Sequence, residues 1–241
     1  MNDSLSIFLP FYNDAGTVEL MITHAYQYGQ KLTSELEVIA VTDGSTDHTL
    51  TELTRLQSIY PQLKIVNHES NKGYGGALIS GIKNSTKSWV FYTDGDAQYH
   101  LDELELLWHV KNDCDVVNGY KLSRSDGVFR KYIGLLYSWM IQKVFKTPIS
   151  DIDCDYRLMK GDMLRSLVLT CTSGAITVEL IKKLYLINAN FKEVGVHHYS
   201  RVYGQSAFFK SANIAKTIYD EYKLLQEFNS SPKKSYERYT N

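Results

Sequence analysis

The chain has 241 residues, a formal net charge of −1 at pH 7 and 44% hydrophobic residues. This length suits one sizeable domain, and the near-neutral charge excludes the whole-molecule positive field typical of nucleic-acid-binding proteins. The three cysteines, Cys114, Cys154 and Cys171, form no CxxC pair, so neither a zinc ribbon nor a disulfide framework is indicated. We therefore expect reduced thiols in a cytosolic protein.

No part of the sequence predicts a leader or a membrane span. The N-terminus, MNDSLSIFLPFYND, lacks the basic and long apolar regions of a signal peptide. No run reaches the roughly 18 apolar residues that a spanning helix needs. We expect a protein that is soluble or lies on a membrane surface.

Short apolar runs alternate with helical patterns through the first half of the chain. Strands are predicted at 5–10, 36–42, 63–68, 88–94 and 114–120, and helices at 18–32, 46–60, 74–85 and 101–112. This alternation indicates an α/β protein with a mostly parallel, Rossmann-like sheet flanked by helices. Ligands bind beyond the carboxyl ends of such strands, so the site is expected in the loops PFYND, TDGSTD, NKGYGG and TDGDAQ.

The pattern changes after residue 121. A basic loop, KLSRSDGVFRK (121–131), precedes a predicted helix at 132–145, and SDIDCDYRLMKGDML (150–164) predicts a short strand and helix. The remaining predictions are a helix at 176–187, a strand at 191–199 and a long amphipathic helix at 206–228. Residues 229–241 are predicted to be a disordered tail, so a single domain is expected to span residues 1–228.

Two carboxylates separated by one glycine, Asp94 and Asp96, follow an apolar strand and repel each other. With Gln98 they offer the oxygen ligands that Mg²⁺ prefers, while leaving positions for substrate phosphates. A metal held there could bridge a diphosphate and neutralise it as it leaves. The alternative is a surface turn with two solvated aspartates.

Two further loops carry weaker signals. Asp43 ends a predicted buried strand, where a carboxylate can accept hydrogen bonds from a base or ribose. The helix cap that follows is assigned to Ser45, Thr46 or Asp47. The glycine-rich run 71–76 precedes a helix but lacks the Walker spacing, so it indicates a phosphate loop only weakly.

These loops occur in the order of family 2 inverting glycosyltransferases with the GT-A fold, which the chain resembles over about residues 5–210. The family forms are P-x-Y-N-E, D-D-G-S-x-D, N-x-G-K-G-x-A and D-A-D-x-Q. DIDCDYRLMK and RVYGQSAFF are similar to the D-x-x-x-G-F-x-L and R-x-x-G-x-S elements of the dolichol/polyprenyl-phosphate branch. The chain departs from these forms at Asp14 (usually Glu), Thr42 (usually Asp), Tyr74 (usually Lys) and Asp155 (usually Gly).

The resemblance implies a UDP- or GDP-linked sugar as donor and Mg²⁺ or Mn²⁺ as cofactor. It implies donor-binding roles for Pro10, Tyr12, Asp14, Asp43, Lys72, Asp94, Arg201 and Ser206. It implies metal ligation by Asp94, Asp96 and Gln98, with His198 as a further candidate. The predicted catalytic set is Asp96, Asp151, Asp153 and Glu179, the last of which matches an acidic family position near the sugar.

A basic cluster before the 132–145 helix predicts the acceptor side. In the polyprenyl-phosphate branch, equivalent residues bind the lipid phosphate, which implies this role for Lys121, Arg124 and Arg130. The following apolar stretch is too short to span a bilayer but suits an interfacial segment, so residues 121–150 are expected to face the membrane. The alternative is a solvated loop followed by a core helix.

The sequence thus predicts a hexose transfer from a nucleotide diphosphate sugar to a polyprenyl phosphate, with inversion. We expect an enzyme peripheral at the inner, cytoplasmic membrane face, as a homodimer or with a separate membrane partner, and without nucleic acid. One alternative is transfer to a hydroxyl of a glycan or glycolipid, which needs a general base such as Asp151, Asp153 or Asp155. The other is a non-catalytic nucleotide-sugar-binding protein.

Overall fold

The computed structural model describes residues 3–124, 128–204 and 211–230, apart from the side chains of 123, 124, 128–135 and 211. Seven strands within these ranges form one sheet. They are β1 (Leu5–Phe11), β2 (Leu36–Asp43), β3 (Lys64–His68), β4 (Trp89–Thr93), β5 (Val116–Arg124), β6 (Tyr156–Lys160) and β7 (Phe191–His198). Their order across the sheet is β3-β2-β1-β4-β6-β5-β7.

Helices cover the sheet. They are α1 (Ala15–Leu32), α2 (Thr49–Ile59), α3 (Tyr74–Asn84), α4 (Leu104–Val110), α5 (Val128–Phe145), α6 (Gly161–Ser166), α7 (Ile176–Leu186) and α8 (Ser211–Ser230). Short 3₁₀ turns flank α4, so the predicted helix at 101–112 is one segment of mixed helical type. No helix within the described ranges is long and apolar enough to cross a bilayer.

The sheet is mostly parallel, which confirms the predicted fold class. β1 pairs in parallel with β2 and β4, β2 with β3, and β5 with β7. Only β6 runs antiparallel to both of its neighbours, β4 and β5. Because β1, β2 and β4 run in the same direction, their carboxyl ends meet at one edge.

Alternating side chains of β1 pack into two cores, one on each face of the sheet. Leu5, Ile7 and Leu9 of β1 join a cluster that contains residues of α1 and α4. Phe8 points to the opposite face and joins a cluster with residues of α3 and α7. A strand buried on both faces is mostly apolar, and the polar residue of LSIFLPF, Ser6, is buried with its hydroxyl donating to Glu37 at 2.6 Å.

The prediction of a basic loop at 121–131 was wrong. Residues 121–124 continue β5, and Val128 already lies in α5. The backbone of β5 pairs with β7 as far as Arg124 opposite His198, with a register shift between Lys121 and Ser123. Backbone hydrogen bonds with a neighbouring strand can extend a strand into polar sequence, which a local pattern cannot reveal.

Candidate active site

Four loops converge beyond the carboxyl ends of β1, β2, β3 and β4. Asn13 links the first two, since its side-chain oxygen accepts the backbone N–H of Thr46 at 2.8 Å. Asn13 itself has a φ of 57°, a left-handed conformation that asparagine tolerates better than most residues. Asp47 accepts the backbone N–H of Thr49, the first residue of α2, at 3.0 Å. The N-cap position of α2 is His48, which makes no side-chain cap hydrogen bond, so the assignment of the cap to one of residues 45–47 was wrong.

The glycine between the two aspartates is required by close packing. The Gly95 N–H donates to the carbonyl of Pro10 at 3.0 Å, and its own carbonyl accepts the Thr17 hydroxyl at 2.6 Å. A β-carbon at this position would lie 2.3 Å from the ring of Phe11. The glycine therefore lets the β4 loop lie directly against the end of β1, with a carboxylate on either side.

Asp94 and Asp96 are both held by specific partners. Asp94 Oδ1 accepts the Tyr74 hydroxyl at 2.8 Å, and Asp96 Oδ1 accepts the Gln98 backbone N–H at 3.0 Å. Burial raises the pKa of Asp94 well above its usual range, and the nearby charges of Asp155 and Asp96 raise it further. Burial also raises the pKa of Asp96, although Arg201 opposes this. A cation beside this pair would relieve the repulsion.

Arg201 brings positive charge to this cluster. Its guanidinium donates to Asp96 Oδ2 and, at 3.3 Å, to Asp14 Oδ1. Asp14 also accepts the Tyr12 backbone N–H at 3.0 Å. Burial raises the pKa of Asp14 to about 6. The structure therefore brings three predicted donor-binding residues, Tyr12, Asp14 and Arg201, into one hydrogen-bonded group with the predicted metal ligand Asp96.

Asp43 is buried and organises the glycine-rich loop. Its carboxylate accepts the backbone N–H groups of Lys72 and Gly73, both at 2.9 Å. It also contacts His68 Nδ1 at 2.6 Å. His68 was not singled out from the sequence because it has no ligand spacing. The prediction that Asp43 lines the nucleotide pocket stays a prediction.

The glycine-rich loop packs closely against the 170–173 segment. The Gly75 N–H donates to the Thr172 carbonyl at 3.1 Å, and the Gly73 N–H donates to the Asp43 carboxylate. A β-carbon on Gly75 would lie 2.2 Å from the Cys171 carbonyl oxygen. These glycines let the start of α3 approach the 170–173 segment closely, while the Lys72 side chain stays exposed.

Lys121 is tied to the acidic turn that precedes β6. Its ammonium donates to the Asp153 carbonyl at 2.7 Å and lies 4.0 Å from Asp151 Oδ1. Asp151 also accepts the Lys121 backbone N–H at 3.2 Å. Both side chains are largely buried. The acidic turn therefore positions the first residue of the predicted basic cluster.

Sequence reasoning missed Arg157, which is completely buried in β6. It donates to Asn118 Oδ1 at 2.6 Å, to Asp155 Oδ1 at 2.7 Å, to the Ile152 carbonyl at 2.5 Å and to the Tyr92 hydroxyl. A buried guanidinium needs such partners. The signal was an arginine inside the apolar run YRLM.

Glu179 is buried, not exposed. It accepts the backbone N–H groups of Thr170 and Cys171 at 2.8–3.0 Å and forms an ion pair with Lys183 at 2.6 Å. Its carboxylate thus shapes the 170–173 segment. No contact in the described part of the chain brings it to Asp94 or Asp96 directly.

The remaining predicted site residues are Arg124, Arg130, Ser206 and His198. The Arg124 Cα lies opposite His198, and Arg130 lies in the first turns of α5, but neither side chain is within the described part. Ser206 lies outside the described residues. The His198 ring packs on Tyr99 with centroids 5.0 Å apart, whereas the His197 ring contacts Glu103.

Comparison with known proteins identifies the class. The family model for glycosyl transferase family 2 matches residues 6–168, more than half of the chain, which therefore belongs to this family. The chain is 27% identical over 207 residues to the undecaprenyl-phosphate 4-deoxy-4-formamido-L-arabinose transferases of Yersinia pestis (strain Pestoides F) and Yersinia pseudotuberculosis serotype O:3 (strain YPIII). The match covers 85% of this chain but only 62% of each of these relatives.

Solved structures confirm the GT-A glycosyltransferase fold. Glucosyl-3-phosphoglycerate synthase from Mycobacterium tuberculosis, with Mn²⁺, UDP and phosphoglyceric acid, matches with a TM-score of 0.73 and 14% identity over 92% of this chain and 78% of that one. A mannosyltransferase from Pyrobaculum calidifontis, with GDP-Man and Mn²⁺, matches with a TM-score of 0.66 and 19% identity over 92% and 65% of the chains.

Proposed function

We propose that this chain is a metal-dependent inverting glycosyltransferase that moves a hexose from a nucleotide diphosphate sugar to a polyprenyl phosphate. The observation that carries the proposal is the convergence of Asp94, Asp96 and Arg201 at the carboxyl edge of the sheet. The relatives named for undecaprenyl phosphate support the acceptor. The Mn²⁺ and UDP or GDP-Man in the structural neighbours support the metal and the donor class.

The residues present fit a hard divalent cation. Asp94 and Asp96 would hold it with Gln98, an oxygen set that suits Mg²⁺ or Mn²⁺. In the described ranges no group of three or more His, Cys, Asp or Glu is arranged to hold a metal, so donor phosphates and water would complete the shell. When bound, the metal would neutralise the departing diphosphate.

Basic side chains of the chain would hold the same diphosphate. Arg201 already lies beside Asp14 and Asp96, and its planar guanidinium matches phosphate oxygens. Lys72 is exposed at the neighbouring loop and would add a second charge. Ser206, close in sequence to Arg201, is proposed to contribute a hydroxyl.

The acceptor side favours a phosphate over a hydroxyl. A lipid phosphate is already anionic and needs positive groups, proposed to be Lys121, Arg124 and Arg130, but no general base. Asp151 is buried against Lys121, which suits a positioning role better than proton abstraction.

An exposed apolar stripe on α5 supports a location at the membrane surface. Leu136, Trp139, Met140 and Val144 are 65%, 57%, 45% and 44% exposed. Their spacing puts them on one face of the helix, and α5 contains no acidic residue. Such a face can lie in the interface of a bilayer, and we propose the cytoplasmic leaflet.

A transfer assay tests this function. Radiolabelled UDP-glucose, UDP-GlcNAc and GDP-mannose would each be incubated with Mn²⁺ and undecaprenyl phosphate in membranes. We expect label from one donor in the organic phase, and at least about 100-fold less with Asp96→Asn. Asp102→Asn, at an exposed carboxylate nearby, is the matched control and should retain activity.

Two other outcomes would change the assignment. Metal-dependent nucleotide release without labelled lipid would keep a glycosyltransferase but move the acceptor to a hydroxyl. Nucleotide binding without any turnover would indicate a non-catalytic nucleotide-sugar-binding protein.

A further inference from the structure

A buried ion pair in α7 holds the segment that supports the start of α3. We call residues 168–173 the strap. Glu179 accepts the backbone N–H groups of Thr170 and Cys171, and Lys183 donates to the Val168 carbonyl at 2.8 Å as well as to Glu179. A single pair of charges thus holds the strap at three residues, Val168, Thr170 and Cys171. These charge-assisted hydrogen bonds hold the strap against α7.

The strap in turn contacts the first turn of α3. The Thr172 carbonyl accepts the Gly75 N–H, and a β-carbon on Gly73 would lie 2.3 Å from that same carbonyl oxygen. The two glycines leave the strap and the helix no space between them. Any shift of the strap must therefore move this turn.

Tyr74, between these glycines, connects the turn to the donor site. Its hydroxyl donates to Asp94 Oδ1 at 2.8 Å. The helix turn decides where this hydroxyl points, because the Tyr74 backbone lies between two close contacts. The contacts run from Glu179 through the strap and Tyr74 to one of the two proposed metal-binding carboxylates.

We propose that Glu179 is a positioning residue for Asp94 and does not take a proton from the acceptor. It acts by holding the strap, and so the Tyr74 hydroxyl, in place. This proposal rests on the proposed function, because it assigns Asp94 to the donor and metal site.

Glu179→Gln separates the two roles. Glutamine keeps the shape but presents N–H groups to Lys183 and to the strap amides. We expect the affinity for Mn²⁺ with UDP or GDP, measured by calorimetry, to fall about 10-fold, with the donor KM rising and kcat changing little. Amide hydrogen exchange at residues 170–172 should accelerate. Tyr74→Phe should reproduce the binding loss with normal exchange in the strap.

Gly75→Ala perturbs the same contact without touching Glu179. This variant can test the proposal even if Glu179→Gln does not fold. We expect Gly75→Ala to weaken nucleotide binding as well. Glu105→Gln is the control, because this exposed α4 carboxylate contacts only its own helix among the described residues.

Three results would overturn the proposal. A kcat loss of about 100-fold or more at unchanged nucleotide affinity would make Glu179 a general base. Parent-like binding in both Glu179→Gln and Gly75→Ala would show that the strap does not affect the donor site. If the parent chain binds neither UDP nor GDP, the result would contradict the proposed function, and this inference, which rests on it, would also be wrong.

Discussion

Gly95 illustrates how one residue can decide the geometry of a site. A β-carbon there would meet the Phe11 ring at 2.3 Å and the Pro10 carbonyl oxygen at 2.7 Å. Gly95→Ala should therefore push the β4 loop away from β1, destabilise the fold by about 1–3 kcal/mol, and weaken Mn²⁺-dependent nucleotide binding. Thermal unfolding and calorimetry would measure the two effects. A variant with parent-like values of both would contradict the packing argument.

Asp14 predicts a specific pH dependence. Its pKa is raised to about 6 in the fold by burial, from a usual value near 3.8, so the native state binds more protons than the unfolded state between these values. Its contribution to the free energy of unfolding therefore falls as pH rises from about 4 to about 6.

Asp14→Asn removes this titration. The quantity to compare is the free energy of unfolding of the variant minus that of the parent, measured by urea unfolding. This difference should be about 1–3 kcal/mol more favourable to the variant at pH 7 than at pH 4. Any constant cost of lost hydrogen bonds to Arg201 or Tyr12 cancels between the two pH values. An equal stability difference at both pH values would refute the raised pKa.

At the scale of elements, α7 depends on its buried ion pair. Lys183→Met would leave the Glu179 carboxylate buried without its cation and should cost about 3–5 kcal/mol of stability. Glu179→Leu combined with Lys183→Met removes both charges. The double variant should lose less than the two single variants added together, and chemical unfolding of all three would measure this coupling. Additive losses would mean that the two side chains act independently.

The apolar stripe of α5 predicts membrane binding. Trp139→Glu would place a charge in the middle of the exposed stripe and should reduce binding to phosphatidylglycerol vesicles by about 10-fold or more. Co-sedimentation measures the bound fraction. Leu106→Glu, on α4, changes an exposed leucine outside the stripe and should leave binding intact. Equal vesicle binding by the parent, Trp139→Glu and Leu106→Glu would show that the α5 stripe does not contribute to membrane binding.

Element boundaries were predicted well where the pattern is local. Strands β1 to β4 and helices α1 and α3 lie within a few residues of their predicted limits, because buried parallel strands and amphipathic helices have distinct periods. The end of β5 was missed because pairing with β7 sets it. The predicted end of the last helix at 228 and start of a tail at 229 were two residues early, because α8 continues to Ser230. The rest of the predicted tail, 231–241, and the predicted start of that helix at 206 lie outside the described residues.

At the scale of the whole molecule, ligand binding should stabilise the fold. Nucleotide with Mn²⁺ at about 100 times its Kd would raise the free energy of unfolding by about 2.7 kcal/mol. For a domain of this size we expect Tm to rise by roughly 5–10 °C in the parent and much less in Asp96→Asn. Thermal scans with UDP and with GDP would also show which base binds. Equal shifts in the parent and Asp96→Asn would place the nucleotide away from this carboxylate.

The class of sheet and the loops that meet at its carboxyl edge could be predicted from the sequence alone. Apolar runs of strand length, separated by amphipathic helices and ending in Asp, Asn and Gly, have few other folded arrangements. The proximity of Asp94 and Asp96 could be predicted because it depends on local sequence, and their role as metal ligands stays a prediction. Which distant groups lie beside these carboxylates depends on how the elements pack in three dimensions.

Arg201 reaches Asp14 across 187 residues, and His68 reaches Asp43 across 25. Arg157 is buried because β6 inserts antiparallel between β4 and β5, and Glu179 is a clamp because the strap lies over its helix. These roles depend on contacts between separate elements. A local sequence pattern carries no information about which elements pack together, so these roles emerge only from the fold.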